Sequence, residues 1–478
     1  MTTDRRWLAL VVLCAGMLMI ILDQTIVNVA LPVIQTDLGF SQSALAWVIN
    51  AYLIPFAGLL LLAGRLGDLI GRRRLFLSGL VAFTVASLLC GAAQNAEMLI
   101  AARFVQGIGG ALASAVILGM LVTMFPEPAE QAKAIGVFSF VAAAGGSIGL
   151  LAGGVLTQSL NWHWIFLVNL PIGIIAVIAG RKLIPDEPGI GLREGADVAG
   201  ALLVTAGLML GVYTIVEAEG KGWASAQTLG LGAVALALLA GFVIRQATSA
   251  KPLLPLRVLK SRNAAGANLT QALMVAGMFG FFFLGTLYMQ RVLHYDPMQI
   301  GLSMMPTALG IGILSLGLSA KLNARFGERP VLLAGLTTIG VGLLVFTQLP
   351  VNGSYLQNVF PGVLLLGIGA GLSFPATMTL AMSAATPADS GIASGLVNTT
   401  QQAGGALGLA VLATLSATRT EHLLGEGKSM EAALTGGYRL AFWISLGLIA
   451  GAIAVAATVL RGVPARDDAE QPHTPVHV

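Results

Sequence analysis

What most constrains this chain is a succession of apolar runs, each long enough to cross a lipid bilayer. A hydrocarbon core about 30 Å thick needs roughly 20 apolar residues per helix. Measured with that ruler, the 478 residues hold fourteen segments, centred near 8–34, 44–63, 75–93, 98–124, 133–157, 163–184, 197–216, 227–247, 263–289, 298–320, 330–349, 355–382, 390–417 and 435–460. Only 10% of the residues are charged, 56% are hydrophobic and the mean hydropathy is +0.85, whereas a soluble domain is about 25% charged. The expected fold class is an all-α polytopic membrane protein. The first run continues past Asp23 to Ile34 without a small-residue cleavage site, so it is expected to remain as a span rather than leave as a signal peptide.

Sorting Lys and Arg by loop gives an orientation. With the N-terminus in the cytoplasm, 20 of the 26 basic residues fall on the cytoplasmic side, four (Lys221, Arg291, Arg419 and Lys428) fall outside, and Arg103 and Arg439 fall on helices. That bias is the positive-inside pattern, and it favours fourteen helices with both termini inside. The net charge of +4 is thereby read as topology, and no nucleic-acid partner is expected. The bilayer itself is the expected surrounding, in a plasma membrane such as a bacterial inner membrane, with the chain acting as a monomer.

Internal repeats organise the segments. "GIGGAL" at 107–112 recurs as "GIGAGL" at 367–372, and "GGSIG" at 145–149 recurs as "GGALG" at 404–408. "GRLGDLIGRRR" at 64–74 has a degraded copy, "AKLNARFGER", at 320–329. The expected organisation is an N-terminal six-helix bundle over 1–184, two inserted helices with linkers over 185–262, and a C-terminal six-helix bundle over 263–460. A polar tail, 461–478, is expected to be disordered. No connection is long enough to bury a soluble core. Two related bundles about a midplane site form a transporter architecture.

Within the first run, "LDQTIVNVALP" (22–32) places Asp23 sixteen residues beyond Trp7, about 24 Å along a helix. Of the 22 acidic residues it alone is placed deep in a span. A carboxylate at that depth is costly and usually marks an ion or substrate pathway; a structural ion pair is the competing reading. Arg103, early in the fourth segment, is its natural partner, and guanidinium is a fixed charge rather than a proton carrier. Burial and a neighbouring cation act on the Asp23 proton in opposite senses, which is a physical basis for proton coupling. Val363 stands where the second half would carry the match to Arg103, so the charged machinery is expected in the first half.

Together with "LDQTIVNVALP", the stretches "GRLGDLIGRRR", "RFVQGIGGA" (103–111), "GGSIGLLAGG" (145–154) and "WHWIFLVNLPIG" (162–173) occur in order along the chain. They resemble the motifs of the 14-helix drug:proton antiporters of the major facilitator superfamily. The resemblance covers nearly the whole chain and implies the major facilitator fold, with two pseudo-symmetric six-helix bundles and two inserted helices. It also implies that Arg65, Asp68 and Arg72, set among Gly64, Gly67 and Gly71, form a charge latch across the two halves. The family's fifth-helix motif carries a proline after the glycine matching Gly149, whereas this chain has Leu150, and His163 replaces the basic residue usual in the sixth.

Gly145, Gly149 and Gly153 lie at four-residue spacing on one face, a pattern that close helix packing explains without chemistry. For a substrate cleft, an apolar wall with a few polar groups is needed. The candidates are Gln24, Asn28 and Gln106 in the first half, and Asn268, Gln271, Asn398, Thr399, Gln401 and Gln402 in the second. Cys14 and Cys90 sit in apolar segments and read as inert buried thiols. "GEGKS" at 425–429 has His422 where a phosphate loop needs glycine, and it lies in an outer loop. No cofactor, no metal and no enzymatic activity are expected. The expected function is proton-coupled efflux of a lipophilic or cationic small molecule by alternating access. A metabolite or lipid carrier of the same fold without proton coupling, or a membrane sensor or scaffold with a transporter-like body, remain the alternatives.

Overall fold

The computed structural model describes residues 3–461 apart from 42, 187, 190, 192–196, 250–251, 255 and 384–389. Every regular element among them is helical. The first half contains α1 (Thr3–Leu38), α2 (Trp47–Ile70), α3 (Arg72–Gly91), α4 (Ala96–Met124), α5 (Pro128–Ser159), the short α6 (Trp164–Leu167) and α7 (Asn169–Leu183). Next come α8 (Val198–Lys221) and α9 (Ala226–Thr248). The second half contains α10 (Arg262–Arg291), α11 (Pro297–Ile313), α12 (Ser319–Phe326), α13 (Glu328–Thr347), α14 (Phe360–Met382), α15 (Ser390–Gly425) and α16 (Met430–Thr458). A π-helical turn, Leu314–Leu318, joins α11 to α12. Eleven helices among the described residues are long and apolar enough to cross a membrane. The other three segments, 133–157, 298–320 and 390–417, fall on α5, α11 with α12, and α15, which are helical but not among those eleven.

The helix starts follow from local side chains. Asn95 accepts from Met98 N–H at the start of α4, and Ser225, Ser261 and Ser429 do the same for α9, α10 and α16, each satisfying a donor the first turn leaves free. Asp296 and Gln299 form a reciprocal capping box at α11. At the two related basic turns the chain reverses through a glycine with positive φ, Gly71 (101°) before α3 and Gly327 (84°) before α13. Non-glycine residues rarely adopt that conformation.

The helices pack as two copies of one arrangement. In the first half α1 lies on α5 and α7, and α4 lies on α2 and α3; in the second, α10 lies on α15 and α16, and α14 lies on α11 and α13. One close approach is repeated in detail. A Cβ on Gly79 would stand 2.8 Å from Gly109 O, and one on Gly109 would stand 2.9 Å from Gly79 O. The same reciprocal contact joins Gly335 and Gly369, at 2.8 and 2.5 Å. The halves meet along α2 with α15 and α5 with α11, pairs that exchange under the same pseudo-two-fold. The inserted helices pack on each other, and α8 lies against α2 and α15. Leu229, Leu236 and Ile244 of α9 point outward, as expected of a helix facing lipid.

Candidate functional site

Asp23 sits on α1 where α2, α3, α4 and α7 converge, and it is wholly buried. Arg103 Nη1 donates to Asp23 Oδ2 at 2.5 Å, while Gln106 Nε2 and Asn169 Nδ2 donate to Oδ1 at 2.8 and 3.1 Å. Arg103 is held in turn by Val48 O, which accepts from Nε at 2.9 Å, and by Gln106 Oε1, which accepts from Nη1 at 2.7 Å. Its guanidinium lies over the Tyr52 ring, 4.5 Å from the centroid, an attraction that desolvation strengthens. Ser87 Oγ accepts from Gln106 at 2.8 Å and from Asn169 at 3.4 Å. The Cys90 thiol lies 3.6 Å from Gln106 Oε1.

The "RFVQGIGGA" stretch explains how α4 delivers this group. Arg103, Gln106 and Gly107 share a helix face by their spacing of three and four. A Cβ on Gly107 would meet Tyr52 O at 2.3 Å, so glycine there lets α4 bed against α2 and brings the guanidinium within reach of Val48 O. The glycines of α5 act likewise on α1. Cβ atoms at Gly145, Gly149 and Gly153 would meet Ile21 at 3.2 Å, Thr25 Oγ1 at 1.9 Å and Ile26 O at 2.7 Å. They let α5 lie against the turns of α1 that carry Asp23.

Not every expected role fits the geometry. Gln106, expected in the substrate cleft, points into the Asp23 cluster because it shares the Arg103 face. Asp68 and Arg72 pair at 3.1 Å, and Arg72 Nη1 donates to Gly119 O at 3.3 Å. Both contacts stay within the first half, and the pair ties α2, α3 and α4 together. A Cβ on Gly67 would meet Val116 at 2.4 Å, whereas nothing among the described residues lies within 4 Å of one on Gly64. Two residues beyond α7 reach this turn: Gly191 N–H donates to Leu69 O at 3.0 Å, and Asp186 lies within 4.0 Å of both Arg73 and Arg74.

The other cleft candidates divide between the halves. Gln24 donates to the Tyr52 hydroxyl at 3.4 Å, and Asn28 donates to Gln24 O at 3.0 Å. In the second half Gln271 Nε2 donates to Gln401 Oε1 at 3.3 Å, joining α10 to α15, and Asn268 donates to Ala264 O at 2.8 Å. Asn268 Oδ1, Gln271 Oε1 and Thr399 Oγ1 are buried without a partner among the described residues. Gln402 is buried and Asn398 is exposed. Asn169, Ser87, Tyr52 and Cys90 were not anticipated in the cluster. Asn169 lies inside the quoted "LVNLP", where a polar amide opens an otherwise apolar helix, and that was its one visible signal.

These features define a multi-pass helical membrane protein of two related bundles, with an enclosed charge cluster in the first. Residues 13–409 match the Major Facilitator Superfamily, and the chain belongs to that superfamily. It is 38% identical over 451 residues to the puromycin resistance protein of Streptomyces alboniger, covering 93% of this chain and 89% of that protein. It is also 38% identical to the cephamycin export protein of Amycolatopsis lactamdurans, covering 86% and 85%. A tetracenomycin C resistance and export protein of Streptomyces glaucescens is 32% identical, covering 87% and 77%. In fold the chain resembles the POT family transporter PepTSo, with a TM-score of 0.68 at 16% identity, covering 94% of this chain and 98% of that one. A bacterial homolog of the human lysosomal transporter Spinster gives 0.65 at 16%, covering 95% and 97%.

Proposed function

We propose that this chain is a proton-driven exporter of lipophilic or cationic small molecules, working by alternating access in a bacterial inner membrane. Fourteen spans with both termini in the cytoplasm, acting as a monomer, complete the reading. The observation that carries it is the enclosure of Asp23 with Arg103 inside one half. A carboxylate kept from water there gains or loses its proton only when the surroundings rearrange, so protonation and conformation are coupled through their free energies. The named relatives are resistance or export proteins for puromycin, cephamycin and tetracenomycin C, which supports export as the direction and a drug as the cargo class. The polar groups at Gln24, Asn28, Asn268, Gln271, Asn398, Thr399, Gln401 and Gln402 are the proposed substrate contacts.

Leu150 supports a second reading. α5 runs from Pro128 to Ser159 without an internal proline, so it lacks the kink the related antiporters place at that point. A carrier not coupled to protons would tolerate this. Transport of a compound panel into or out of proteoliposomes, with and without a pH gradient, separates the two. Proton-driven flux lost in Asp23→Asn supports the main reading, and full flux in that variant under the same gradient overturns it.

A further inference from the structure

Among the described residues every hydrogen-bonding group on the Asp23 carboxylate is a donor: Arg103 Nη1, Gln106 Nε2 and Asn169 Nδ2. That shell suits an ionised carboxylate and offers no acceptor to the O–H of a carboxylic acid, which must itself donate. The neighbouring acceptors are already engaged. Gln106 Oε1 takes Arg103 and the Cys90 thiol, and Ser87 Oγ takes Gln106 and Asn169. Within this cluster Asn169 Oδ1 is the acceptor left without a partner among the described residues, and Asn169 is wholly buried.

We infer that Asn169 is a positioning residue that serves both protonation states of Asp23 by turning its amide over. The inference rests on Asp23 being the proton carrier. With Asp23 ionised, Asn169 Nδ2 donates to Oδ1. When a proton arrives from water and the Oδ1–H bond forms, half a turn about the Cβ–Cγ bond exchanges the two ends of the amide, which are nearly equal in size. Asn169 Oδ1 then occupies the place of Nδ2, 3.1 Å from Asp23 Oδ1 and 3.4 Å from Ser87 Oγ. There it accepts the new O–H and the Ser87 hydroxyl together. On release, the Oδ1–H bond breaks, the proton returns to water and the amide turns back. Asn169 gains and loses no proton. One amide atom stays unpaired in either orientation, so the flip follows the proton without opposing it.

Arg103 of α4 is the charged side chain facing Asp23, with the titratable Tyr52 of α2 and Cys90 of α3 beside the pair. Arg103 holds Oδ2 in both states, and the amide acts on Oδ1 alone.

The test is infrared difference spectroscopy on the full chain in lipid after a pH jump, which needs no transported compound. The wild type should show a carboxylic acid C=O band that is missing in Asp23→Asn. In Asn169→Leu the band should move to higher frequency, because the acid has lost its acceptor. In Ser87→Ala it should move to lower frequency, because Asn169 Oδ1 then accepts from the acid alone. A band lost in Asp23→Asn but unmoved in Asn169→Leu overturns the role of Asn169 and leaves Asp23 as carrier. If Asn169→Leu fails to insert, an unmoved band in Ser87→Ala overturns it equally. A wild-type band that persists in Asp23→Asn, or no band at all, removes Asp23 as carrier and this inference with it.

Discussion

Arg103 Nη1 lies 2.5 Å from Asp23 Oδ2, and the two side chains are only 1% and 0% exposed. Removing the arginine alone strands a carboxylate in the bundle, and breaking such a pair costs about 3–5 kcal/mol. Arg103→Leu is therefore expected to be much less stable than the wild type, whereas Asp23→Asn with Arg103→Leu should recover most of the loss, since no uncompensated charge is then left buried. Lysine should not rescue position 103. It lacks the fork that reaches Val48 O, Asp23 and Gln106 at once. Thermal unfolding of the four proteins in one detergent decides the matter, and a double variant as fragile as Arg103→Leu refutes it.

Asn50 is wholly buried in α2 with both atoms of its amide unpartnered among the described residues. It lies eleven residues before Leu61, three helical turns, and so on the same face. On that face Leu61 stands 2.8 Å from the Cβ position of Gly395 on α15. An unpaired buried amide costs about 1–3 kcal/mol. Asn50→Leu should raise the unfolding temperature by removing that cost. A lower unfolding temperature in that variant counts against this account.

The glycine face of α5 gives a steric prediction. A Cβ on Gly149 would stand 1.9 Å from Thr25 Oγ1 and 3.0 Å from Leu22 O, one turn and less from Asp23. Gly149→Ala should push α5 off α1 at a cost of about 1–3 kcal/mol, the usual range for overpacking. Thr25→Ala in the same chain should restore part of it, leaving the tight Leu22 carbonyl as the residue of the cost. Equal stability of the single and double variants would show that the contact is relieved elsewhere.

How much of this was legible in the sequence depends on the kind of signal each residue leaves. Asp23 and Arg103 stand out because a charge in an apolar run violates the solvent it is placed in. Gln106 was visible as a polar residue but misassigned, although its spacing of three from Arg103 already put it on the same face. Ser87 and Asn169 are ordinary small polar residues whose importance comes from which helices meet, and no local pattern carries that. The paired glycines Gly79 with Gly109 and Gly335 with Gly369 show why the repeat was readable: backbone contact admits no side chain, so the requirement survives where the charges have been replaced. The basic turn after α2 is only half legible for the opposite reason. Its charges are read from composition, while their partners, Gly119 O and the segment around Asp186, are set by the tertiary packing.

The inserted hairpin carries an acid sensitivity of its own. Asp197, just outside the membrane-spanning part of α8, caps that helix by accepting from Gly200 N–H at 2.9 Å. It also accepts from Arg245 Nε and, at 2.9 Å, from Gln246 Nε2, both near the end of α9. Gln246 Oε1 takes Leu254 N–H at 3.0 Å, so one carboxylate clasps α8, α9 and the linker beyond. Burial works to raise its pKa, but the hydrogen bonds from Arg245, Gly200 and Gln246 outweigh that and hold the carboxyl below its ordinary value. The unfolded chain, at about 3.9, then binds a proton before the folded one does. The clasp's contribution is accordingly complete above about pH 5 and is lost as the pH falls through 3.9 and then through the lower folded value. Asp197→Asn keeps a good cap residue and removes the charge. Limited proteolysis of 185–262 in the intact protein should accelerate in the wild type below about pH 4, the range where the carboxylate begins to protonate. The asparagine variant should be cut faster at neutral pH and show no such rise. Wild-type protection that stays constant down to about pH 3, where the unfolded carboxyl is mostly protonated, would mean that ionised Asp197 does not hold the hairpin together.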